Sequence, residues 1–189
     1  MKPAALGLLV LLGAAVSGCA LAPLPPPEAT LDNIQAIRAA SLPPLAVGSF
    51  TPAPGDPTLM DHTLVIRAGA QPAPGGSYAR YLGDTLTAEL KGAGRFDPGA
   101  DRIVTGVVTH THLDSSVPKA RAALAAKFTL VRTGRVVFEK TLAADAVWNS
   151  EVIGAVAIPD AFNHYMGLFP RLVGELMADP DFRAAVQAP

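Results

Sequence analysis

The sequence has one cysteine and few charged side chains. Because Cys19 has no second cysteine to pair with, the chain cannot form an internal disulfide, and burial of apolar side chains must stabilise the fold. Charged residues make up 16% of the chain, and 15 basic residues nearly balance 16 acidic ones. The sequence has no basic run that could follow a phosphate backbone, which argues against nucleic acid as a partner.

The sequence also lacks an apolar run long enough to span a membrane as a helix, which needs about 20 residues. Its N-terminal apolar run, residues 4–15, is shorter than that and carries no charge. Lys2 precedes this run, and the small residues Ser17 and Gly18 follow it. This is the order of parts in a secretory signal, so we expect residues 1–18 to be a signal peptide.

The residues around the predicted cleavage site resemble the lipobox of bacterial lipoproteins. They are Val16, Ser17, Gly18 and Cys19. The resemblance implies that Cys19 becomes the N-terminus and carries a covalent lipid, with acyl chains such as palmitate that hold a membrane more strongly than one reversible chain. Ala20 stands where relatives retained in the inner membrane have Asp, which favours the periplasmic face of the outer membrane. The alternative is an ordinary secretory signal with an incidental cysteine.

The distribution of proline divides the remainder of the chain. Eleven of the 18 prolines fall within residues 23–74, and four of those lie within residues 23–27. Such a segment favours polyproline II, which extends about 3.1 Å per residue. We therefore predict a lipidated Pro-rich tether with a short helix over residues 19–43, and a single domain over residues 44–189. No further cofactor is expected besides the lipid on Cys19.

Apolar periodicity predicts an α+β fold. Alternation and β-rich composition predict strands at residues 45–50, 62–67, 102–113, 124–131 and 136–142. The last two strands form a hairpin around Thr133 and Gly134. Gly106 is interpreted as a β-bulge. We expect a largely antiparallel sheet of about five strands, with two main helices packed on one face.

Spacings of three and four residues predict the two main helices. The first covers residues 77–91 and ends at the glycines that follow. The second begins near Pro159, and Pro170 either kinks it near residues 166–169 or divides it into two consecutive helices. Asp179 and the proline after it predict the cap and first residue of a short terminal helix.

Several segments resemble a group of small Gram-negative lipoproteins that have no assigned activity. They include residues 81–90, 93–98 and 103–106, and the similarity extends to residues 152–159 and 178–182. The order of elements also resembles small α/β domains of envelope-complex proteins. Those include the N-terminal domain of the Tol-Pal propeller protein and auxiliary lipoproteins of lipid or LPS transport. The resemblance implies a role in the cell envelope, with an envelope protein as partner.

One constellation suggests an enzyme. His110, His112 and Asp114 have the His-x-His-x-Asp spacing of metallo-β-lactamase-like hydrolases, in which two histidines bind one zinc ion. Ser115 follows where that motif requires a further His, and a strand hairpin follows where the family has a helix. The alternative is that both histidines lie on the solvent face of a strand, because side chains alternate along it.

Residues 152–158 form an uncharged run before the last predicted helix. The run includes Val152, Ile153, Val156 and Ile158. If exposed, these side chains are candidates to dock a partner or the membrane. If buried, they belong to the core, and we favour burial because apolar runs more often lie inside.

These observations lead to three functional hypotheses. The first is a non-enzymatic lipoprotein, anchored through Cys19, that acts as an accessory or scaffold in an envelope assembly or transport complex. The second is a carrier that binds a lipid or other apolar ligand between helix and sheet, in a pocket lined by Phe128, Phe138, Tyr165 and Phe169. The third is the zinc hydrolase. A tightly filled core would favour the first hypothesis over the second.

Overall fold

The computed structural model of the protein describes residues 25–56 and 59–188. Within these ranges the strands are β1 Ala46–Pro52, β2 Thr63–Ile66, β3 Gly69–Pro72, β4 Arg102–Asp114, β5 Lys119–Arg132 and β6 Arg135–Asn149. The helices are α1 Leu31–Ala39, α2 Tyr78–Ala93, α3 Gly154–Met166, α4 Leu168–Ala178 and α5 Pro180–Gln187. The predicted signal peptide and the lipobox residues Val16, Ser17, Gly18 and Cys19 lie outside the described residues.

Four strands form the main sheet, in the order β1-β4-β5-β6. Strand β1 runs parallel to β4, and the other two pairs are antiparallel. Strands β2 and β3 form a separate hairpin. The predicted α+β class is therefore confirmed. Strand β3 was not predicted, because its sequence Gly-Ala-Gln-Pro has no alternating apolar pattern and ends in proline.

The helices pack on one face of the main sheet. Alternation along β5 buries Leu124, Ala126, Phe128 and Leu130 against them. Helix α2 lies against β1 and β4, and α4 lies against β5 and β6. Side chains that point away from the helices, such as His110 and Thr141, are exposed.

The longest strands are joined by the predicted hairpin. Thr133 and Gly134 separate β5 from β6, with φ angles of 46° and 79°. A two-residue turn with positive φ at both positions matches the twist of antiparallel strands, and glycine adopts it without strain. The hairpin prediction is therefore confirmed.

Helix α2 also follows its sequence signals. The Ser77 side chain accepts a hydrogen bond from the backbone N–H of Arg80 at the start. Gly94 ends the helix in the left-handed conformation, with φ of 71°. The buried face carries Leu82, Leu86 and Leu90. This face packs on the sheet as the apolar spacing predicted.

The C-terminal helical region is divided into two consecutive helices, as predicted from Pro170. Helix α3 ends at Met166 and α4 begins at Leu168. Pro170 is the third residue of α4, where its missing N–H has no intrahelical acceptor in any case. The predicted start near Pro159 is wrong, because the backbone N–H groups of Val156 and Ala157 already bond the carbonyl of Ile153.

The terminal helix α5 begins at its predicted cap. Asp179 Oδ1 accepts hydrogen bonds from the N–H groups of Asp181 and Phe182, at 3.0 and 2.9 Å. Lys140 Nζ donates to Asp179 Oδ2 at 2.7 Å. Burial alone would raise the pKa of Asp179, but these hydrogen bonds outweigh it and hold that pKa below its usual range.

Gly106 is not the extra residue of a bulge, although a bulge lies beside it. On the β5 side Gly106 pairs regularly with Phe128, whereas on the β1 side the register shifts between Val47 and Phe50, so the extra residue belongs to β1. The role of Gly106 is to make room for Phe50, because a Cβ at residue 106 would lie 2.3 Å from the Phe50 ring. A Cβ at Gly83 in α2 would lie 2.8 Å from the same ring. Two glycines thus let one phenylalanine fit between helix and sheet.

Helix α1 belongs to the core, although it lies within the predicted tether. Ile37 is fully buried, and α1 contacts both α2 and α4. Glu89 of α2, also fully buried, accepts hydrogen bonds from Thr30 N and Oγ1 and from Asn33 Nδ2, each at 2.9 Å. Asn33 Nδ2 also donates to the carbonyl of Pro170 at 2.8 Å. One carboxylate therefore fastens the N-terminal segment to α2, and the Asn33 amide extends this link to α4.

Replacement of Gly106 by Ala should destabilise the domain. The added methyl group must displace the Phe50 ring, and overpacking of this kind costs about 1–3 kcal/mol. Urea unfolding measures the loss. In a Phe50→Leu background the same Gly106→Ala change should cost clearly less, because the obstructing ring is gone. An equal cost in both backgrounds would contradict this assignment of Gly106.

Replacement of Glu89 by Ala should loosen α1 before the rest of the domain. The change leaves the Thr30 N–H buried without its acceptor and removes one from Asn33, at a cost of about 2 kcal/mol in the free energy of unfolding. Hydrogen exchange should show faster exchange of α1 amides. Glu139→Ala is the control, since Glu139 is half-exposed and contacts Lys127 at the surface. Unchanged protection of α1 would count against this role.

Candidate functional site

Exposed aliphatic side chains collect at one end of the domain. In the run of residues 152–158, Val152, Ile153 and Val156 are 76%, 66% and 52% exposed. The expectation that this run is buried is therefore wrong for these three positions. Ile158 is half-buried and packs against the core. Helix α3 begins inside the run, at Gly154. Val152 and Ile153 precede the helix, and Val156 lies on the exposed side of its first turn.

Two further segments contribute to this end. Val65 of β2 is 56% exposed, and Val117 of the β4–β5 loop is 51% exposed. They share a surface cleft of about 470 Å³ that is also lined by Arg67, Leu113, Asp114, Ser115 and Ser116. We call the exposed set Val65, Val117, Val152, Ile153 and Val156 the aliphatic end.

The Arg67 side chain connects the segments of the aliphatic end. Arg67 Nη1 donates to the carbonyl of Val152 at 3.0 Å, and Nη2 donates to the carbonyl of Glu151 and to Ser150 Oγ. Ser150 Oγ in turn donates to the carbonyl of Ser115 at 2.9 Å. Hairpin β2–β3, loop β4–β5 and the β6–α3 connection are thereby tied together.

The backbone of Arg67 is unusual as well. Its φ of 54° lies in the left-handed region, which a residue with a Cβ adopts at some energetic cost. The side chain of this residue binds the β6–α3 connection, which in turn binds the β4–β5 loop through Ser150. These hydrogen bonds connect the backbones of the segments that carry the aliphatic side chains.

The predicted zinc ligands His110 and His112 are not part of the aliphatic end. They lie on the face of the sheet that the helices leave open. His110 and His112 are exposed there, with parallel rings whose centroids are 6.4 Å apart, while Thr111 between them is buried. This is the alternating arrangement that the non-catalytic interpretation predicted. Among residues 25–56 and 59–188, no three His, Cys, Asp or Glu side chains are grouped to hold a metal ion.

Asp114, the third member of that motif, is engaged in a local turn. Its Oδ1 accepts hydrogen bonds from the hydroxyl and the backbone N–H of Ser116. The hydroxyl hydrogen bond, with the backbone one, lowers the pKa of Asp114 below its usual value. The carboxylate therefore shapes the β4–β5 loop that presents Val117.

The aromatic side chains of the carrier hypothesis fill the helix–sheet interface. Phe128, Tyr165 and Phe169 are fully buried, and Phe138 is 8% exposed. Phe128 contacts Phe50, Phe138 contacts Phe182, and Tyr165 contacts Phe169, at centroid distances of 5.4–6.1 Å. These edge-to-face contacts occupy the space that an apolar ligand would need.

The N-terminal end of the described chain lies along α2. Pro25, Pro26 and Pro27 share a groove with residues along α2, from its first turn to its last, and with the turn before it. These are Pro74, Gly75, Tyr81, Asp84, Thr87, Ala88 and Lys91. Thr30 is bound at Glu89. Residues 25–27 thus lie in a groove that extends from Lys91, close to the attachment of Thr30, back to Pro74 and Gly75 before α2.

Part of this site could be predicted from the sequence. The uncharged run identified Val152, Ile153 and Val156, and strand alternation around the buried Leu64 and Ile66 could have identified Val65. Arg67 was missed. Its role depends on carbonyl groups more than 80 residues away, for which the local sequence carries no signal.

Comparison with known proteins gives fold-level likeness only. No protein-family model matches the chain, and no curated protein sequence matches it either. No helix within the described ranges is both long and apolar enough to cross a membrane.

Two solved structures illustrate this likeness. A Xanthomonas campestris protein of family-model DUF330 is 14% identical, with a TM-score of 0.48 over 72% of this chain and 84% of that one. A minor lipoprotein from Acinetobacter baumannii is 9% identical, with a TM-score of 0.45 over 75% of this chain and 94% of that one. Scores this low carry no functional conclusion.

Replacement of Arg67 by Ala should loosen the aliphatic end without unfolding the domain. The loss of its hydrogen bonds frees residues 150–156 and the Ser115 loop, so their amides should exchange faster. Arg67→Lys should behave almost as Arg67→Ala, because an ammonium group cannot reproduce the planar guanidinium fork. Arg135→Ala, at the opposite end of β6, is the control. Equal exchange in all variants would contradict the assigned role of Arg67.

Proposed function

We propose that this protein is a lipid-anchored periplasmic lipoprotein that acts without catalysis, as an accessory or scaffold in a cell-envelope assembly or transport complex. Cys19 carries the lipid and attaches the protein to the periplasmic face of the outer membrane. The domain presents its aliphatic end to another component of the envelope.

The aliphatic end is the observation that carries this proposal. Five branched apolar side chains from three segments stand exposed at one end, and exposed apolar patches of this kind are typical of interaction sites. The Arg67 bonds keep the segments in fixed positions, so the surface is formed before any partner arrives.

The packing of the interior also supports an accessory role over a carrier role. The four aromatic side chains that would line a ligand pocket contact one another or other core rings instead. An apolar ligand between helix and sheet would have to displace several of them. The open-face position of His110 and His112, without a third ligand in the described chain, likewise favours a non-enzymatic role.

Lipidation can be tested on the protein in membranes of a Gram-negative host. Mass spectrometry of the N-terminal peptide should show an acylated Cys19, and the wild-type protein should fractionate with outer membranes. Cys19→Ala should lose the lipid. Ala20→Asp is a matched sorting control, which should keep the lipid and move the protein to the inner membrane. An unmodified Cys19 in the wild type would overturn the proposal.

The accessory role needs a separate measurement. Mild-detergent purification of the wild-type protein should recover one envelope protein in a fixed ratio. The Val152→Asp and Val156→Asp double variant tests whether that recovery depends on the aliphatic end. A lipidated protein that reproducibly purifies without any partner would contradict the accessory role and favour ligand binding.

A further inference from the structure

We propose that the aliphatic end rests on the lipid bilayer and forms a second membrane contact besides the acyl chains. This inference rests on the proposed lipid anchor at Cys19 and names the component that the aliphatic end meets. The domain then has a fixed orientation, with the long axis of its sheet directed away from the membrane.

The path of the N-terminal segment supports this orientation. From its attachment at Glu89, the chain runs back to Pro25–Pro27, in the groove beside Pro74 and Gly75. Those two residues directly precede α2, and Gly83 near the start of α2 lies against Phe50 in the second half of β1, whereas Phe96 after α2 pairs with Leu45 before β1. Because β1 runs parallel to β4, and β4 ends beside the loop of Val117, the N-terminus of α2 points to the aliphatic end. The tether therefore leaves the body towards the end of the domain that carries the aliphatic side chains.

The reach of the tether makes the contact compatible with the anchor. Pro25 follows Cys19 by six residue steps, and an extended chain covers at most about 3.6 Å per step, or roughly 20 Å in all. A lipid on Cys19 therefore keeps the entry point of the tether close to the membrane surface. The opposite end, at the Thr133–Gly134 turn, lies a full length of β5 farther away.

The chemistry of the aliphatic end fits lipid. Its members are valines and one isoleucine, and burial of each such side chain in an apolar phase is favourable. The charged residues beside it in sequence have both signs, with Lys119 next to the loop of Val117 and Glu151 next to Val152. Binding should therefore be hydrophobic, and independent of anionic lipid and of salt.

A site-specific probe tests the contact in the lipidated protein. Because the sequence has one cysteine and the lipid blocks it, Ile153→Cys introduces a unique thiol for a polarity-sensitive dye. In phosphatidylcholine vesicles its emission should shift to shorter wavelength, and quenchers on the acyl chains should reduce it. The control is Val136→Cys. Val136 is 61% exposed near the opposite end, so a dye at this position should keep the emission of a water-exposed probe.

Each outcome of the probe experiment has a distinct meaning. A water-like signal at residue 153 in protein-free vesicles would overturn the lipid contact. If that signal became apolar in native membranes, the occupant would be a protein partner. A second labelled thiol at Cys19 would instead show that the lipid is missing, which is the failure of the proposed function.

The energetic contribution can be measured without the anchor. Purified Cys19→Ala protein that begins at residue 19, expressed without residues 1–18, should partition weakly onto phosphatidylcholine vesicles, and Val152→Asp with Val156→Asp should reduce the partition coefficient by about tenfold or more. Val136→Asp should leave it unchanged. Circular dichroism checks that all variants fold. Equal partitioning of folded variants would overturn the proposal.

Discussion

The hydrogen bonds of Arg67 are the interaction on which the candidate site depends. Three segments that are far apart in sequence carry the aliphatic side chains, and their relative positions depend on the contacts between these segments. The guanidinium of Arg67, on the β2–β3 hairpin, binds the β6–α3 connection directly, and Ser150 of that connection binds the carbonyl of Ser115 in the β4–β5 loop. A polar contact thus connects the segments of an apolar surface, and loss of the arginine would loosen their relative positions without removing any aliphatic side chain.

The elements that the sequence predicted well are those with local determinants. Helix α2 depends on Ser77 at one end and Gly94 at the other, and the β5–β6 hairpin depends on two adjacent turn residues. In each case the cap or turn lies within a few residues of the apolar pattern that it ends. Such signals survive without knowledge of the tertiary structure.

The features that the sequence predicted badly depend on distant residues. A glycine within a strand is typical of a bulge. In the structure, however, Gly106 leaves room for the ring of Phe50, which lies more than 50 residues earlier in the sequence. Residues 152–158 read as core because they are uncharged, yet no described element covers Val152 or Ile153. Val152, Ile153 and Val156 could thus be identified from composition. The role of Arg67 and the approach of three distant segments could be seen only in the folded structure.

The embedding of α1 has a mechanical consequence. Tension on a lipid tether travels along the chain to the first segment that the body holds firmly. Thr30 and Asn33 pass that load through Glu89 into α2, and Asn33 passes part of it to α4. A pull on the proposed anchor would therefore be carried first by the helical layer, through the hydrogen bonds of Glu89 and Asn33.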